Sequence, residues 1–97
     1  MPDQKLARTM VVTDPTGLHA RTAVGIADVV RRSQSTVTLI KDDRRALGTE
    51  VLQMLSLVVY PGESVVVEAA GPDAAAVLDA LEPIMAGDFD DQTQKIA

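Results

Sequence analysis

The apolar residues of this chain change period repeatedly, from alternation to helical spacing and back, and that succession restricts the fold more than any single motif. Residues 8–13 are β-branched and partly alternating, which predicts a strand. Asp14-Pro15-Thr16-Gly17 then supplies turn chemistry. From about His19 the spacing is helical: Ala23, Ile26, Ala27 and Val30 fall at i, i+3, i+4 and i+7. Arg21, Asp28, Arg31 and Arg32 make the polar side, and Leu18 sits ahead of the cap where it can staple onto Ala23.

Alternation returns over residues 35–41, with Val37 and Leu39 on one side and Thr36 and Thr38 on the other. Asp42-Asp43 predicts a tight reversal into a short strand over 44–47. A second helix is expected over 50–59, capped by Thr49 and closed by Pro61-Gly62. A fourth strand alternates around Val65 and Val67 over 63–70. Gly71-Pro72 opens a last helix with Ala74, Val77, Leu78 and Leu81 as its buried stripe, and Pro83 is expected to kink or end it. Residues 1–6 read as a loose end, and residues 87–97 as an acidic, flexible tail. The order strand, helix, strand, strand, helix, strand, helix predicts a two-layer α+β sandwich on a mostly antiparallel four-stranded sheet.

Several classes of function drop out on bulk properties. Ninety-seven residues suit one compact domain. Cysteine is absent, which removes disulfides, thiolate metal sites and a cysteine nucleophile. One histidine with scattered acids lacks metal-ligand spacing, so no metal and no cofactor are expected. The net charge of −5 argues against nucleic-acid binding. With no long apolar stretch and no secretion signal, no membrane insertion is expected and the cytoplasm is the expected location. Charge is uneven: residues 1–45 carry eight Lys and Arg against five Asp, and residues 46–97 one Lys against nine acids. Such asymmetry can orient a partner, although an uneven solvated surface is the simpler explanation.

The candidate chemistry lies at His19, where the Thr16-Gly17 turn hands the chain to the first helix. A helix start has N–H groups without intrahelical partners and a partial positive charge. If His19 is the cap, an anion bonded to its ring can reach the N–H groups of Ala20 and Arg21. Arg21 adds a fork suited to phosphate oxygens, and Gly17 lets the turn take unusual dihedrals. Neutral imidazole is nucleophilic near neutral pH, and a phosphoryl group on it remains labile. A small hydrolase would instead need an activated water near Arg21; Asp14 and Thr16 are the nearby candidates, without a recognisable catalytic spacing.

The run Gly17-Leu18-His19-Ala20-Arg21 resembles the signature of the HPr family, the histidine phosphocarriers of the phosphoenolpyruvate-dependent sugar phosphotransferase system. Chain length and element order extend the resemblance over residues 7–86. It implies an open-faced sandwich of four antiparallel strands covered on one face by three helices, in a protein that is a carrier and not an enzyme. It also implies a phosphoryl group taken on His19 from enzyme I, passed to IIA domains of sugar permeases and steadied by Arg21, in a chain expected to be a monomer. Alternatives of the same fold are a regulatory carrier whose phosphorylation state controls partners, and an interaction domain that is never phosphorylated.

Two positions depart from the family pattern. Thr22 stands where proline usually follows the arginine, and its hydroxyl can add a group near the phosphate. Glu50 occupies the place of a serine that is phosphorylated in many relatives. It either mimics that phosphoserine or is simply an acid favoured at a helix start. The resemblance also places an apolar docking patch beside His19, formed by Val51, Leu52 and Leu55, with Ala20, Val24 and Arg31 bordering it. Within the second helix Met54 and Val58 are expected to be buried and Leu52 exposed.

Overall fold

The computed structural model describes residues 4–89. Residues 90–97 of the expected tail lie outside the described residues. The elements are β1 (Gln4–Val11), α1 (Ala20–Arg32), β2 (Thr36–Lys41), β3 (Arg44–Leu47), α2 (Val51–Ser56), β4 (Ser64–Gly71) and α3 (Ala74–Met85). The four strands form one antiparallel sheet in the order β1-β4-β2-β3.

Alternation decides which face is covered. Val65, Val67 and Ala69 of β4 point inward, opposite Met10, Arg8 and Leu6 of β1. Val67 and Ala69 also face Leu39 and Val37 of β2, and Leu39 faces Ala46 of β3. The three helices cover this face with Ala23, Ile26, Ala27 and Val30 of α1, Met54 of α2, and Ala74, Val77, Leu78, Leu81, Ile84 and Met85 of α3, all buried. The opposite face carries Lys5, Thr38, Glu68 and Arg45 and stays open. One apolar face on the sheet and one apolar stripe per helix are buried against each other in this two-layer closure. No helix among the described residues is long and apolar enough to cross a membrane.

Several boundaries differ from the sequence reading. β1 begins at Gln4, inside the stretch read as a loose end, and stops at Val11. Its first residues are polar and exposed, so main-chain pairing with β4 down to Gln4–Gly71 makes them strand, a signal side-chain pattern does not carry. α3 runs through Pro83 to Met85, its cap is Asp73, and Pro72 lies just before that cap. Ile84 and Met85 are buried beyond the proline, and that apolar burial holds the last turn in place.

α2 is shorter than expected. It is capped by Glu50, not Thr49, and ends at Ser56. Beyond it Val58 takes φ +53° and is 46% exposed, so it is not the core residue its spacing suggested. Leu57 and Val59 are buried instead. The cause is tertiary. Arg44, from the β2–β3 hairpin, donates to the carbonyls of Ser56 (3.2 Å) and Leu57 (2.7 Å), and Lys41 donates to that of Val58 (2.7 Å). Two cations thus satisfy the carbonyls that a continuing helix would have used itself.

Candidate functional site

His19 is the N-cap of α1. Its backbone is extended (φ −112°, ψ −175°), and its carbonyl accepts from the N–H of Ala23 at 2.9 Å. The side chain makes no hydrogen bond into the helix. Ala20, Arg21 and Thr22 therefore present N–H groups that no residue of the helix accepts. The macrodipole adds partial positive charge at the same place. Leu18, just before the cap, is buried together with Ala23, as a staple requires.

Two distant segments hold the turn that carries His19. The Leu18 N–H donates to the Val59 carbonyl at 3.0 Å, which ties the turn to the chain leaving α2. Gly17 has φ +76°, and a Cβ there would lie 2.6 Å from the same carbonyl oxygen. At the other side, the N–H groups of Thr13 and Asp14 both donate to the Met85 carbonyl at 3.1 Å, at the end of α3. Thr22 is fully buried, and its hydroxyl points back to the Gly17 carbonyl at 3.5 Å. It braces the turn and does not reach outward, which corrects the expectation that it adds a hydroxyl near the phosphate.

The residue that sequence reasoning undervalued is Asp14. It is 5% exposed, one of two buried polar residues among those described. Its Oδ1 accepts the Thr16 N–H at 2.8 Å, and its Oδ2 lies 3.1 Å from His19 Nε2. The Thr16 N–H holds this carboxyl below its ordinary value, against the opposing effect of burial, and His19 adds to the lowering. Asp14 is therefore a carboxylate, which only accepts, so His19 Nε2 carries the donated proton. In the neutral ring the lone pair is then on Nδ1, which has no hydrogen-bond partner among the described residues. The signal in the sequence was an acid opening an Asx-type turn five residues before the histidine; its partner was invisible because the turn folds the two together.

A second unexpected group is Phe89, which fell within the stretch read as tail. Gly87 (φ +86°) ends α3 in a Schellman arrangement: Asp88 N–H donates to the Pro83 carbonyl at 2.9 Å and Gly87 N–H to that of Ile84 at 3.0 Å. A Cβ at Gly87 would meet Asp14 Oδ2 at 2.9 Å, so the glycine backs the carboxylate directly. The reversal carries Phe89 over the start of α1. Its ring is edge-on to the His19 imidazole at 6.1 Å between centroids, and the Arg21 Cζ lies 4.6 Å from its centroid.

The other expected residues fall into two groups. Thr16, Gly17, His19, Ala20 and Arg21 converge at the start of α1, with His19 at 29% side-chain exposure. Val24 and Leu52 are exposed on α1 and α2, Leu52 at 81%, while Val51 and Leu55 are half-buried against the core. Arg31 donates to the Thr49 carbonyl at 2.7 Å and ties α1 to the start of α2. Glu50 is exposed and takes a 3.3 Å hydrogen bond from the Thr49 hydroxyl, without capping α2 through its side chain. Among the described residues no three potential ligands gather as a metal site would require.

Comparison with known proteins converges on one family. Residues 6–86 match the family described as PTS HPr component phosphorylation site. The chain is 30% identical over 87 residues to the phosphocarrier protein NPr of Shewanella violacea, covering 90% of this chain and 96% of that one. It is 33% identical over 85 residues to NPr of Proteus mirabilis, covering 87% and 94%. Among solved structures, HPr from Thermoanaerobacter tengcongensis superposes with a TM-score of 0.79 at 26% identity, over 88% of this chain and 96% of that one. An open-faced sandwich with an imidazole at a helix start, whose sequence matches along nearly its full length, thus places this chain in the HPr family of the phosphotransferase system, as a phosphocarrier and not an enzyme.

Proposed function

We propose that His19 accepts a phosphoryl group on Nδ1 from phosphorylated enzyme I and passes it to a IIA domain of a sugar permease, in the cytoplasm and as a monomer. The observation that carries this reading is the Nε2 contact to the buried Asp14 carboxylate, which leaves Nδ1 as the nucleophile. The Nδ1 lone pair forms the N–P bond while the donor's bond to phosphorus breaks and its electrons stay with the donor. The ring, still protonated at Nε2, becomes cationic, and Asp14 faces that charge. Phosphoryl oxygens then lie against the N–H groups of Ala20 and Arg21, with the Arg21 guanidinium as the counter-charge. Solvent access keeps the group transferable, since a deep cationic pocket would trap it.

Docking falls to the apolar surface beside the turn. Val24 and Leu52 project from neighbouring helices, with Val51 and Leu55 beneath. Leu52→Asp is expected to leave stability within about 0.5 kcal/mol, because the side chain touches little. The same change is expected to weaken donor and acceptor binding roughly tenfold, as loss of an apolar anchor does. Equal apparent affinities for wild-type and variant would remove Leu52 from the interface.

The test of the function is incubation with phosphoenolpyruvate and enzyme I, followed by mass measurement and mapping of the adduct. One acid-labile phosphoryl group on His19, discharged by added IIA domain, is the expected result. An acid-stable adduct, or one on another residue, overturns the proposal.

A further inference from the structure

We infer that Phe89 is a positioning residue of the relay, holding the Arg21 guanidinium beside His19 before the phosphoryl group arrives. The inference rests on the carrier reading above and concerns a residue outside the motif.

Arg21 is exposed, on a long side chain with many rotamers. Among the described residues its guanidinium forms no hydrogen bond and no ion pair; its one polar contact is the Phe89 ring, 4.6 Å from Cζ. An aromatic ring attracts the cation through its quadrupole and offers no oxygen acceptor. The guanidinium is thereby localised while its donors remain available for phosphate oxygens. A carboxylate in the same place would localise it too, and would then compete with the incoming anion. The same ring stands edge-on to His19, so one side chain touches both members of the motif that bear on the phosphoryl group.

The position of Phe89 is built by the fold. The Schellman turn at Gly87 sets its direction, and the ring packs partly on the core close to Gly25 of α1. Gly87 in turn backs the Asp14 carboxylate, so the end of α3 supports His19 through Asp14 and Arg21 through Phe89. The guanidinium then has two seats, the ring before transfer and the phosphoryl oxygens after it, and the first shortens the search for the second.

The experiment compares Phe89→Leu with Phe89→Tyr, each in the wild-type background and with Arg21→Ala. Leucine keeps an apolar side chain and removes the quadrupole, whereas tyrosine keeps the ring. Phosphoryl uptake from phospho-enzyme I is expected to slow roughly two- to five-fold in Phe89→Leu. It is expected to stay near wild-type in Phe89→Tyr, and Phe89→Leu should have no effect once Arg21 is alanine. The Arg21 side-chain protons of the unphosphorylated protein should show an upfield ring-current shift that Phe89→Leu removes. A wild-type spectrum without that shift overturns the seat. Unchanged uptake in Phe89→Leu, or an equal loss with Arg21→Ala present, overturns this inference alone. A wild-type chain that takes no phosphoryl group overturns the carrier reading, and this inference with it.

Discussion

Asp14→Asn is expected to slow phosphoryl uptake on His19 by roughly 10- to 100-fold while leaving the fold intact. A hydrogen bond to a charged group contributes about 1.5–3 kcal/mol, and each 1.36 kcal/mol is tenfold in rate. The carboxylate only accepts, so it compels Nε2 to hold the proton. An asparagine at the same place can turn its amide N–H toward Nε2. The ring then carries its proton on Nδ1, and the lone pair sits on the wrong nitrogen. The variant also loses the negative charge that faces the ring as it becomes cationic. Rapid-quench measurement of uptake checks the rate, and ¹⁵N spectra of the imidazole check the tautomer. Wild-type rates with an unchanged ring tautomer would refute the role given to Asp14.

The same substitution has a signature in stability against pH. Asp14 is held below its ordinary carboxyl value in the folded chain, by the Thr16 N–H first and by His19 after it. A carboxyl of lowered pKa stabilises the fold above its unfolded value and loses that contribution as pH falls through the folded one. Wild-type protein should therefore exceed Asp14→Asn in stability at about pH 6, and the gap should be smaller at about pH 3, below the unfolded carboxyl value. Denaturant melts at the two pH values provide the check.

Gly17→Ala is the change expected to damage the fold most. With φ at +76°, alanine there is strained by about 1–3 kcal/mol. Its Cβ would also lie 2.6 Å from the Val59 carbonyl oxygen, against backbone that a rotamer change cannot move. Moving that carbonyl away costs the Leu18 N–H bond to it, about 1 kcal/mol more. Together these lower the melting temperature by roughly 10–25 °C for a domain of this size. Because Leu18 is buried and His19 follows it, the imidazole should shift off the helix start, and uptake should fall with stability. A melting temperature within a few degrees of wild-type would show that the turn adapts.

Much of this architecture is legible in the order of residues. The inward sets Val37/Leu39 and Val65/Val67 and the stripe Ala23/Ile26/Ala27/Val30 are buried as their periods require. The hairpin turn at Asp42-Asp43 and the strand over 44–47 stand where turn chemistry placed them. His19 as a cap followed from a glycine turn running into a helical period. These features are local, because a side chain's period and a turn's dihedrals depend on a few neighbours.

What escaped the sequence depends on contacts between segments far apart in the chain. α2 stops at Ser56 because Arg44 and Lys41 reach the carbonyls of Ser56, Leu57 and Val58 from a hairpin. Asp14 meets His19 because the Met85 carbonyl and Gly87 fix the other side of its turn. Phe89 belongs to the site because a Schellman turn, not Pro83, ends α3. Period and turn residues thus determined which elements form and where the imidazole sits. Which nitrogen is free, and what stands beside Arg21, only the packed chain decided, since hydrogen-bond partners brought in from distant segments leave no trace in local spacing.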